Sequence, residues 1–123
     1  MYAVGLDIVA TERISRILER FGERFVNRLL GPEERELFDK RVDRVELLAG
    51  RFAAKEAAIK AFGRFLSVRP QFVSIQVLPD SGGQPHLHLP EDIRQRLAGH
   101  SCLVSISHEK TITAAVVIIV EEK

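Results

Sequence analysis

Apolar positions change their spacing several times along the chain, and each change marks an element. Residues 2–9 form an apolar run of strand length with an acid, Asp7, inside it. Ile14, Ile17, Leu18 and Phe21 then follow the i, i+3, i+4, i+7 rule, which predicts a helix capped by Thr11, with Arg13, Arg16 and Arg20 on its other faces. Gly22 interrupts that pattern, and it resumes over 23–30. Gly31-Pro32 ends the second helix and opens a third, with Pro32 at the first helical position and Glu33 and Glu34 in the first turn. The longest helix is expected over 45–62, rich in alanine and closed by Gly63 as a left-handed cap.

Beyond Gly63 the period falls to two. Residues 72–77 alternate, Asp80-Ser81-Gly82-Gly83 supplies a turn, and 85–89 returns, which predicts a hairpin. A short helix over 90–97, ended by Gly99, leads to two further strands at 102–107 and 113–120. Helices and strands are largely segregated. The expected class is therefore α+β, with a mainly antiparallel sheet packed against the long helix and the shorter ones, in one domain spanning 1–123.

A chain of 123 residues with 46% hydrophobic residues supports one modest core, so a large flat apolar face would call for a second copy to cover it. The net charge of +1 argues against a general nucleic-acid protein, although arginines concentrate in the first third. Cys102 is the only cysteine, which excludes an internal disulfide and the usual thiolate zinc site. No apolar stretch approaches the ~20 residues of a membrane span, and the start lacks a signal-peptide pattern. A cytoplasmic protein without membrane or nucleic-acid partners is expected.

Candidate chemistry lies in the run from Arg51 to Gly63. Glu56 and Lys60 are one turn apart and share a face with Phe52 and Gly63, while Ala53 and Ala57 leave room beside the carboxylate. A solvated Glu–Lys pair is the plain alternative. Apolar residues on more than one side of this helix favour enclosure, and an enclosed carboxylate requires a cation. Asp7, between Leu6 and Ile8, is the second conspicuous acid: it caps the following helix from a strand end, or a partner holds it. Two carboxylates plus a phosphate is how Mg²⁺ is usually bound. Ser107 and His108 are adjacent in a strand and point to opposite faces, which disfavours a nucleophilic triad, and the chain has no P-loop.

Gly5-Leu6-Asp7-Ile8-Val9, the run Arg51 to Gly63, and Val104-Ser105-Ile106-Ser107-His108 resemble, in order and spacing, the holo-acyl-carrier-protein synthase family of phosphopantetheinyl transferases. The middle run, matching F-A-x-K-E-A-x-x-K-A-F-G, is the specific one. The resemblance implies the phosphopantetheinyl transferase fold and transfer of 4′-phosphopantetheine from coenzyme A to a serine of apo acyl carrier protein, with release of adenosine 3′,5′-bisphosphate. It implies Mg²⁺ on Asp7 and Glu56, and phosphate contact or proton removal by Lys60. Arg51, Lys55, Gly63 and His108 are implied as further coenzyme A contacts. The first helices are expected to dock the acidic carrier through Arg13, Arg20, Arg24 and Arg28, with Arg16 in the same ladder. Family members of this length are typically homotrimers with sites at subunit interfaces, serving fatty acid biosynthesis.

Two departures stand out. Arg64-Phe65-Leu66-Ser67 replaces a glycine-rich loop of Thr-Gly-Ile type, and Gln84 replaces the lysine of a G-K-P turn. A non-catalytic carrier-binding module and a metal-dependent phosphohydrolase using Asp7 and Glu56 are the alternatives at this point.

Overall fold

In the computed structural model, which describes residues 2–122, three strands and one long helix form two layers. Strand β1 (Ala3–Ala10) leads into helix α1 (Thr11–Phe21), followed by α2 (Glu23–Leu29), α3 (Pro32–Asp39) and α4 (Arg44–Phe62). A 3-10 turn, Phe72–Ser74, precedes strand β2 (Gln76–Pro79), which pairs antiparallel with β3 (Pro85–His88). Helix α5 (Glu91–Arg96) then leads to β4 (His100–His108) and β5 (Ile112–Glu121). The main sheet has the order β1-β5-β4 with antiparallel neighbours, in which Asp7 stands opposite Ala115 and Ala115 opposite Ile106. The α+β class expected from the segregated pattern is the one observed.

Helix α4 lies across the inner face of that sheet. Ala53, Ala54, Ala57, Ala58 and Ala61 are almost wholly buried along it. Their small size lets the strand come close. A Cβ on Gly5 would lie 1.9 Å from the carbonyl oxygen of Ala57, so β1 crosses α4 nearly backbone on backbone. The room expected beside Glu56 is thus partly filled by β1.

Among the described residues nothing covers the outer face of the sheet. Val4, Leu6 and Ile8 of β1 are 57–66% exposed, and Leu103 of β4 and Ile118 of β5 lie exposed too, with Val4 paired to Ile118 and Ile118 to Leu103.

Several local expectations are corrected. Thr11 does not cap α1; Ala10 holds the N-cap without a side-chain bond, and the Thr11 amide donates instead to the Thr111 carbonyl at 2.9 Å. Gly63 ends α4 with φ of −55° rather than left-handed, because the chain continues turning through bonds from Phe65 and Leu66 to the Phe62 carbonyl. Phe72–Ser74 is a 3-10 turn rather than the start of a strand. There the Phe72 ring packs 5.8 Å from Phe52, and its carbonyl is claimed by a buried lysine.

Candidate active site

Asp7 sits inside β1 and not at its end, on the strand face that carries Gly5 and Val9 toward α4. Its carboxylate accepts a hydrogen bond from Lys60 Nζ at 3.1 Å, and the same ammonium donates to the Leu6 carbonyl at 2.9 Å. Glu56, one turn back along α4, accepts from Arg69 Nη2 at 3.0 Å. The two side chains are 16% and 22% exposed, respectively. Lys60 thereby ties the acid of the first strand to the helix turn that carries the second acid. Gly63 closes this strip of α4, bordering a cleft of about 240 Å³ with Ile59, Leu66 and Arg69.

A second group gathers at the other end of α4. His108 Nδ1 lies 3.0 Å from Thr113 Oγ1 and 3.8 Å from Glu46 Oε1. Its ring fits where a Cβ on Gly50 would be 3.1 Å from Cε1. Together with Arg41, Arg51, Gly83 and Pro85 it borders a groove of about 290 Å³. At ~1.5 Å rise per residue, positions 50 and 60 of one helix are about 15 Å apart, so Arg51 and His108 share a groove that does not include Asp7 and Lys60.

Lys55 belongs to neither group, and the phosphate contact implied for it is corrected. Fully buried, it donates to Glu34 Oε1 at 2.6 Å, to the Phe72 carbonyl at 3.0 Å and to the Leu29 carbonyl. An ammonium has three N–H donors, and all are engaged inside the protein. Glu34 in turn accepts from the amides of Gly31 and Val77, each at 2.9 Å, and lies 3.5 Å from Arg51 Nε. Burial pushes the pKa of Lys55 and of Arg51 down, and Glu34 opposes that shift in both. Glu34 reads from sequence as a first-turn acid of α3, and the structure uses it to tie that turn to α4 and β2. Its three-residue spacing from Gly31, typical of an N3 glutamate, was the one available signal.

The arginines of α1 and α2 face outward. Arg13 lies 5.4 Å from the Phe52 ring, next to the Glu56 face of α4, while Arg20 and Arg24 flank the exposed Phe21 ring at 5.3 and 5.8 Å. Arg16 is paired with Glu12 at 2.7 Å, and Arg28 borders an open groove with Phe25 and Phe72. Arg69, Arg41, Glu46 and Thr113 are not singled out by the sequence, because isolated charged or polar residues in a loop, a first helical turn or a strand end carry no periodic signal.

Two enclosed carboxylates with a lysine between strand and helix, and a separate groove of arginine and histidine, describe an α+β enzyme suited to phosphate esters. The pattern of the 4′-phosphopantetheinyl transferase superfamily matches residues 3–117. Holo-[acyl-carrier-protein] synthases of Acidithiobacillus ferrooxidans and Desulfovibrio desulfuricans are 42% and 40% identical to this chain, each match covering 94% of both sequences. The crystal structure of the Neisseria meningitidis synthase superposes with a TM-score of 0.87 at 35% identity, covering 97% of this chain and 98% of that one. A Chronobacterium ammoniagenes synthase–CoA complex superposes at 0.83 with 30% identity, covering 100% and 99%. The chain belongs to the holo-acyl-carrier-protein synthase family and is a phosphopantetheinyl transferase.

Proposed function

We propose that this enzyme moves 4′-phosphopantetheine from coenzyme A to a serine of apo acyl carrier protein in the cytoplasm, releasing adenosine 3′,5′-bisphosphate, with Mg²⁺ held by Asp7 and Glu56. The observation that carries the reading is the meeting of Asp7 and Lys60 one helical turn from Glu56. The donor set fits a hard divalent cation, because both acids are enclosed and each already faces a positive side chain. Among the described residues no group of three or more His, Cys, Asp or Glu comes together, and a Mg²⁺ held by Asp7 and Glu56 would take its remaining ligands from phosphate and water oxygens. When bound, the ion supplies charge neutralisation at the pyrophosphate.

The serine oxygen forms its bond to the β-phosphorus as the bond from that phosphorus to the bridging oxygen breaks; the bridging oxygen leaves on adenosine 3′,5′-bisphosphate, and the serine proton passes to solvent water. Lys60, fixed by the Leu6 carbonyl, offers its remaining hydrogen to a phosphoryl oxygen. Arg51 and His108 hold a nucleotide phosphate in their groove. Arg13, Arg20, Arg24 and Arg28 steer the acidic carrier toward the Phe52 face of α4.

The two groups of side chains occupy separate grooves on one chain, and the sheet face of Val4, Leu6, Ile8, Leu103 and Ile118 is uncovered. A homotrimer packed through that face, with each site shared between copies, accounts for both.

Incubating the protein with apo carrier, coenzyme A and Mg²⁺ and weighing the carrier tests the activity. A gain of one phosphopantetheine mass is expected. An unchanged carrier would refute the transfer, and consumption of coenzyme A without carrier would indicate a hydrolase instead.

A further inference from the structure

Arg69 lies in the segment between α4 and the 3-10 turn, where the chain departs from the family's glycine-rich loop. Its Nη2 donates to Glu56 Oε1 at 3.0 Å, and its guanidinium stands 5.6 Å from the centroid of the Phe72 ring. The counterpart at Asp7 is anchored differently. Lys60 also donates to the Leu6 carbonyl at 2.9 Å, so that ammonium keeps its place when the carboxylate is otherwise engaged. Arg69 has the carboxylate and an aromatic face. Its side chain is 61% exposed against 22% for Glu56, so the pair sits at the rim, where water weakens it.

We propose that Arg69 is a displaceable counter-cation: it neutralises and orients Glu56 in the free enzyme and is exchanged for the divalent cation. The inference rests on the metal assignment made above. A carboxylate oxygen that accepts the Arg69 N–H cannot take a divalent ion at the same position without bringing two positive charges together. Phe72 offers the released guanidinium a surface to remain on, since a ring face attracts a cation without needing a fixed hydrogen-bond geometry. The pair therefore competes with the metal, and breaking it takes only the small energy of a half-exposed ion pair.

Binding of Mn²⁺ to the full-length protein, followed by electron paramagnetic resonance with and without coenzyme A, tests this without reference to activity. Arg69→Gln should lower the Mn²⁺ dissociation constant by about two- to fivefold. It should also lower the melting temperature by about 2–4 °C in EDTA, with the difference vanishing at saturating Mn²⁺. Arg64→Gln removes a like charge from the same segment and calibrates the general electrostatic effect. An equal change in Arg64→Gln, or unchanged or weaker Mn²⁺ binding in Arg69→Gln, overturns the counter-cation role. Absence of Mn²⁺ binding by the unsubstituted protein under both conditions overturns the metal assignment itself, whereas loss of binding in Glu56→Ala alone supports that assignment and leaves the Arg69 comparison decisive.

Discussion

Lys60 Nζ lies 3.1 Å from Asp7 Oδ1 and 2.9 Å from the Leu6 carbonyl, pinning the C-terminal half of α4 to the middle of β1. The contact joins residues 53 positions apart and places the first-strand acid beside the helix turn of Glu56. Asp7→Ala and Glu56→Ala each remove one of the two acids proposed to hold the metal, at positions whose side chains are 16% and 22% exposed. Transfer to the carrier should fall by at least about a hundredfold, with the melting temperature within a few degrees of the original. Retention of near-normal rate at limiting Mg²⁺ by either variant would overturn the assignment of the ion to this pair of acids.

Leu6→Arg places a charge in the uncovered sheet face. Light scattering should report the mass of three chains for the unsubstituted protein and of one chain for the variant, with transfer lost together with assembly. A substituted protein of unchanged mass would move the subunit interface elsewhere.

Arg13→Glu reverses a charge that stands over Phe52 near the site. The KM for the carrier should rise about tenfold with kcat nearly unchanged, and the difference should shrink as salt is added. A salt-independent defect would count against electrostatic docking.

Lys55→Met leaves the buried Glu34 carboxylate without its closest cation. Urea unfolding should show a loss of about 3–5 kcal/mol, and adding Glu34→Gln should recover part of it, because an unpaired buried charge costs more than an absent pair. A small loss in the single variant would mean that the ammonium contributes little to the fold.

Asp43, at the N-cap of α4, accepts two hydrogen bonds of 2.7 Å from Arg41, which hold its carboxyl down at about 2 from the ordinary 3.8. The folded state thus binds fewer protons than the unfolded chain between these values. The contribution is complete above about 3.8 and is lost as pH falls toward 2. Its size is small, since the pair is half-exposed. The stability difference between the protein and Asp43→Asn should accordingly shrink through that window when melts are recorded at descending pH. A difference independent of pH would show that the Arg41–Asp43 ion pair does not carry it.

The sequence by itself determined the kinds and order of the elements, because the period of apolar side chains is a local property. The stripe Ile14, Ile17, Leu18, Phe21, the alanine-rich span of α4 and the turn at Gly82-Gly83 were all legible in this way. The run from Arg51 to Gly63 also identified Glu56 and Lys60 as chemically notable. What packs against each face was not legible. Lys55 and Lys60 lie five positions apart on one helix, yet one is buried against Glu34 and the carbonyls of Leu29 and Phe72, while the other reaches Asp7. Only the tertiary structure separates them, since the groups that bury or expose a helical side chain come from segments distant in the chain. The same reason placed Arg69 on Glu56 and turned Phe72 inward as a 3-10 turn: both depend on partners that no local period encodes.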